Sequence, residues 1–289
     1  MPRPDKVVRY ALFASLLSSF VFLSCCAPAG PAKGSPEWLF SAAREEFKSG
    51  GILKAQESLE KLEEMEGNPY QARAVAWDLL IKGGRLMGYE EIASAYQDGF
   101  PNARDNKINF TREKEAQLTE LRGSALHYLE TAQHFDKIVK GDTVTLEFPF
   151  PDGSGAPVVD LERIQKGQWP TDEARSALYD KIMLRDMLRG LSIGITTADD
   201  VPGAQKAMAS GTATVPMSHF LLAIADTTSR CATFYNEHYL SETDKRKMFL
   251  QRTIDMVKRI HDMKPDPAVD KDAKKLQDAA EKELKKIKS

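Results

Sequence analysis

The feature that most constrains this chain is the spacing of its apolar residues. They return every three or four positions through most of the sequence and so mark one face of helix after helix. Trp38, Leu39, Ala42, Ala43 and Phe47 share such a face, Gly50 and Gly51 interrupt it, and Ala55, Leu59 and Leu62 resume it before Gly67, Asn68 and Pro69. From 69 to 82, Tyr70, Ala74, Trp77 and Ile81 keep helical intervals, and Gly83 with Gly84 predicts a break before a further helix at Gly88. A long amphipathic helix follows over 111–139, through Ala116, Leu121, Ala125, Leu129, Phe135 and Val139. Beyond it, Thr171 is an N-cap ahead of Leu178, Ile182, Met187 and Leu188, and Asp199 or Asp200 caps a short helix containing Pro202. A loop over 211–215 leads to Pro216, which opens a helix through Phe220, Ile224, Cys231 and Phe234. Ser241 caps another helix carrying Phe249, Ile254, Val257 and Ile260, and a last helix is expected over 268–287.

One stretch breaks the period. Residues 143–150 alternate polar and apolar, 152–155 are turn residues, and 157–161 regain extended character, so a β-hairpin is expected within 141–165. The fold class is therefore all-α, built of antiparallel helix pairs in a bundle or short solenoid with a small β-hairpin insertion. The expected regions are 37–140, the hairpin at 141–165, and a C-terminal helical region at 166–289. With 28% charged and 42% hydrophobic residues and 3 Cys, the chain is neither collagen-like, disordered nor disulfide-stapled. A net charge of −2 supplies no concentrated basic face, so no nucleic-acid partner is expected.

The N-terminus reads as an address. Arg3, Lys6 and Arg9 precede an apolar and Ser run over 11–23, too short at 1.5 Å per residue to cross a bilayer but suited to a signal h-region. Val21, Phe22, Leu23, Ser24 and Cys25 then resemble the lipobox of bacterial lipoproteins, in which a Cys after a small residue receives diacylglycerol and becomes the new N-terminus. The resemblance implies a signal peptide at 1–24 and acylation of Cys25. Cys26 remains the alternative, with Leu23 and Ser24 upstream but Cys25 immediately before it. Residues 25–36 follow as anchor and a Pro-, Gly- and Ala-rich tether. The expected location is the bacterial cell envelope, with the membrane as a partner through the lipid. Neither Cys would be followed by Asp, so the enteric sorting pattern implies the outer membrane, facing the periplasm.

The helix, Gly turn and helix of 37–66 resemble a tetratricopeptide repeat. Leu39, Ala43, Gly50, Ala55, Leu59 and Leu62 fall on the family's packing and turn positions, while Glu46 stands where an aromatic is usual and Gly67 where Pro is. The five-residue step from Gly50 to Ala55 recurs at Gly88 to Ala93, which predicts a second, divergent unit. The resemblance implies a concave protein-binding groove lined by Phe40, Arg44, Phe47 and Lys48.

Little else carries chemistry. The five His include no i, i+4 pair around a Glu, and Cys231 lies in an apolar helix where a thiol acts as a small hydrophobe. Ser154 stands between glycines in a turn with no helix after it, unlike a nucleophile elbow. No metal, cofactor or catalytic residue is expected. The Lys- and acid-rich last helix reads as a solvated lid over the end of the helical stack. The functional expectation is a non-catalytic scaffold or protein-binding subunit for another envelope protein. The alternative is a periplasmic small-molecule binding protein associated with a transporter, its pocket between helices of 171–262.

Overall fold

The computed structural model describes residues 30–150, 156–236 and 240–288. The lipidation candidates Cys25 and Cys26, the turn at 152–155 and His238 lie outside the described residues. Among the described residues, ten α-helices, two 3₁₀ turns (Phe100–Asn102 and Arg104–Asn106) and one two-stranded sheet make up the regular structure. In chain order these are α1 (Pro36–Lys48), α2 (Ile52–Glu64), α3 (Gln71–Gly99), α4 (Lys107–Ile138), β1 (Thr143–Leu146), α5 (Glu162–Gln165) and α6 (Asp172–Thr196). Then come α7 (Val201–Ala207), β2 (Ala213–Pro216), α8 (Met217–Phe234), α9 (Thr243–Asp262) and α10 (Pro267–Lys288). The protein is all-α apart from that sheet.

The first helical pair forms where expected. The Ser35 hydroxyl caps α1 by accepting from the Trp38 amide at 3.2 Å, with Pro36 in the first turn. Gly50 turns the chain into α2 with φ +84°, in the left-handed region that a residue without Cβ enters freely. Ala43 and Ala55 are completely buried, as small residues between closely packed helices should be.

The expected break at Gly83 and Gly84 is not there. Helix α3 runs unbroken from Gln71 to Gly99, so Gly88 to Ala93 lies inside it and the second hairpin expected within 69–98 does not form. The physical reason is contact across the interior. A Cβ on Gly84 would lie 2.3 Å from the Met187 Cα of α6, and one on Gly190 would lie 2.6 Å from the Leu80 carbonyl oxygen. These glycines let two backbones touch where α3 crosses α6, which outweighs their poor helix propensity of ~1 kcal/mol each. The buried residues of α3 include Val75, Trp77, Leu79, Leu80 and Ile81, on every side of the helix, as its central position requires.

The small antiparallel sheet is present, but its second strand is not 157–161. β1 pairs with β2, Thr143 opposite Pro216 and Val144 opposite Val215, so the expected loop at 211–215 supplies the partner. Val144, Leu146 and Val215 are buried beneath the ladder, which ties the α4 exit to the α8 entry. Residues 157–161 instead lead into α5, and Leu161 and Ile164 join a small second core around Ile92, Tyr96, Phe110 and Ile182. The main core is continuous from Leu39 to Ala280. Helices α8, α9 and α10 close the far end, with Val269, Ala273 and Ala280 of α10 buried against them.

Candidate functional site

The four residues expected to line a groove on α1 do not share an open surface. Phe40 is buried and stacks on Tyr70 with ring centres 4.6 Å apart. Phe47 meets Trp77 edge-on at 5.1 Å, and the chain's own Phe148, just past β1, packs between them, stacked on Trp77 at 4.9 Å and 5.5 Å from Phe47. Arg44 donates to Glu147 Oε1 at 2.9 Å, and Arg73 clamps the other oxygen at 2.5 Å. Lys48 is exposed and joins neither cluster. The expected groove is thus filled by the segment after β1. An aromatic face with a cation beside it suits a strand of the same chain as well as a foreign peptide, and the strand is always at hand.

A polar cleft of about 370 Å³ opens between α2, α3 and α4, lined by Glu60, Lys82, Arg85, Glu120, Ser124 and His127 among others. Beneath it lies a charged network set in an apolar surround. Asp78 is fully buried, accepts from the Gln56 amide at 2.8 Å and pairs with Lys82 Nζ at 2.5 Å. Lys82 also donates to Thr131 Oγ1 at 2.9 Å, and Arg85 holds the Gln56 carbonyl at 2.8 Å. Glu63 is pushed up from its ordinary 4.5 to about 9, first by burial and then by the Asp78 carboxylate, with Lys82 opposing. Burial pulls on Lys82 the other way, but Asp78 and Glu63 overcome it and hold its ammonium above the usual range. The site sets a proton-retaining Glu63 beside Asp78 and one cation, Lys82, and its ligands are already each other.

This network has a pH signature. Between 4.5 and about 9 the folded chain keeps a proton on Glu63 that the unfolded chain has released, so stability should fall as pH rises through that window. Glu63→Gln removes the ionisation and should flatten the slope, gaining roughly 1–3 kcal/mol at pH 8.5, the usual penalty of a poorly satisfied buried polar group. Urea midpoints at pH 5 and pH 8.5 check this, and an unchanged slope would place the Glu63 carboxyl in water.

The second cleft, of about 500 Å³, lies in the C-terminal half. Ile193 on α6, with Thr197, Ala198 and Asp199 after it, forms one wall, Leu222, Ala223 and Asp226 of α8 the floor, and Asp272, Lys275, Leu276 and Ala279 of α10 the other wall. Ile193, Leu222 and Leu276 are only half-buried, which leaves apolar surface facing the opening. Asp199 is engaged by Arg189 at 2.7 Å and Asp272 by Lys275 at 2.7 Å. Asp226 is open to solvent and accepts no hydrogen bond among the described residues. Burial of its surroundings nonetheless raises its carboxyl above the ordinary range, with Arg230 pulling the other way. The far wall is fastened at its start: His219 bonds Asp266 at 2.6 Å, and His261 bonds Asp270 at 2.7 Å.

The remaining candidates are structural. Burial pushes the Cys231 thiol far up, so it stays protonated and unreactive in the core. Among the described residues no group of three or more His, Cys, Asp or Glu side chains converges as a metal site would need. Compared with known proteins, the sequence matches no family profile, no curated protein and no solved structure.

Proposed function

We propose that this chain is a lipid-anchored protein of the bacterial envelope whose helical body is a non-catalytic binding subunit. We further propose that it takes a small ligand in the cleft between α6, α8 and α10. One observation carries this reading: an open cleft of about 500 Å³ with half-buried Ile193, Leu222 and Leu276 inside it, a volume in the range of small-molecule sites. The filled α1 face favours this over a peptide groove, since Phe148 already occupies the place beside Phe47.

The anchor rests on the basic start, the short apolar run and Ser24 before Cys25. No described helix is long and apolar enough to cross a membrane. Fatty-acid probe labelling in cells should vanish in Cys25→Ser and persist in Cys26→Ser. The reverse result would move the anchor to Cys26, and a wild-type chain that takes up no probe would remove the lipoprotein reading.

For the cleft, the full chain purified from its own membrane in mild detergent should carry a small-molecule adduct in native mass spectrometry. Ala279 is exposed on the rim, so Ala279→Trp should fill the cleft, expel the adduct and spare the core. An adduct unaffected by Ala279→Trp would place the ligand elsewhere.

A further inference from the structure

The charges around the α6, α8 and α10 cleft are paired off one by one. Lys275 on the α10 wall is held by Asp272 at 2.7 Å. Arg189, behind the α6 wall, donates to Asp199 at 2.7 Å, and Arg230, one turn past Asp226, donates to Glu90 at 3.0 Å. Each of these cations therefore has its acid, and among the described residues the acid of the cleft without a side-chain or backbone donor is Asp226. It stands on the cleft floor beside Leu222 and Ala223, with Leu276 opposite on α10.

We propose that the cleft takes an amphipathic cation: a primary amine whose apolar body lies on Ile193, Leu222 and Leu276 and whose ammonium pairs with Asp226. This rests on the reading of the cleft as a binding site and adds the class of ligand. An anion would meet three acids and find its only lining cation, Lys275, already engaged. A bare metal ion would need several converging oxygens and would leave the apolar wall wet. An amine satisfies both surfaces. Its N–H groups give Asp226 charged donors in place of water, and its hydrocarbon part covers the half-buried side chains. The raised carboxyl of Asp226 agrees with this placement, because a charged acid in a partly dehydrated site gains most from a bound cation.

The test uses 4-phenylbutylammonium and its anionic counterpart 5-phenylpentanoate, titrated into the full chain in mild non-ionic detergent with empty micelles as the blank. The ammonium should bind saturably at one site and the carboxylate should not. Asp226→Asn, at a solvent-open position, should keep the melting temperature and weaken the ammonium by roughly tenfold or more, the scale of one charge-assisted hydrogen bond. Ala279→Trp should weaken it as well by occupying the space. Equal binding of both probes, an Asp226→Asn variant that binds as the wild type does, or no binding of either probe would each overturn the proposal. A ligand of another charge found in the same cleft would overturn the amine while leaving the cleft as the binding site.

Discussion

Gly84→Val should be among the most damaging single substitutions in the chain. Its Cβ would fall 2.3 Å from the Met187 Cα and 2.4 Å from the Asp186 carbonyl oxygen, both backbone atoms in the middle of α6. No side-chain rotation relieves that overlap, so α3 and α6 must separate along their crossing. The cost should reach or exceed the upper end of the ~1–3 kcal/mol usual for overpacking. The separation also reaches the fully buried Asp186, which Arg185 and Arg189 hold at 2.9 and 3.2 Å. Gly83 is the matched control one residue away. Its nearest neighbour would be Thr227 at an ordinary 3.5 Å, so Gly83→Ala should be neutral or stabilise by about 0.5–1 kcal/mol through lost unfolded-state freedom. Urea denaturation of the two variants decides the matter. Equal midpoints would mean that α3 and α6 do not touch at Gly84.

Phe148→Ala should cost about 3–5 kcal/mol, the range for emptying a buried Phe site. The ring is completely buried against Phe47 and Trp77, and its removal strips the stacked partner from Trp77 and a second ring contact from Phe47. Phe150, its half-buried neighbour, should lose much less on the same change. The two variants separate a structural plug from a removable cover. If Phe148→Ala keeps the urea midpoint, the segment after β1 is dispensable and the face of Phe40 and Phe47 is free to serve as the groove that the repeat-like spacing implies.

The helices were legible because an apolar face at 3.6-residue spacing depends on near neighbours alone, as α1, α4 and α9 show. Glycine was not. At Gly50 it makes a turn and at Gly84 it makes a contact, and the local sequence around each offers the same two-glycine signal. The difference lies in Met187, a hundred residues downstream, which only tertiary structure brings near. The strand pairing failed for the same reason. The alternation over 143–150 marked a strand at Thr143–Leu146 correctly, but its partner is 213–216 and not the nearest candidate, a pairing about seventy residues apart that no local pattern announces. The buried charges did leave a trace: Asp78 and Lys82, four apart, interrupt the otherwise apolar run 74–84, whose members Trp77, Leu79 and Ile81 are all buried. Acid and base inside an apolar run signal a paired interior site, and that reading would have found the network. Asp226 left no such trace, because the cleft is assembled from three helices far apart in sequence.

The central claim is that the body binds its ligand between α6, α8 and α10 and not on α1. Methyl spectra of the full chain, labelled at Ile and Leu and titrated with a mixed set of small charged and neutral fragments, test it most directly. The account predicts that fragments shift the methyls of Ile193, Leu222 and Leu276 while those of Leu39, Leu59 and Leu62 stay in place. Shifts confined to Leu39, Leu59 and Leu62, with Ile193 and Leu276 silent, would contradict it.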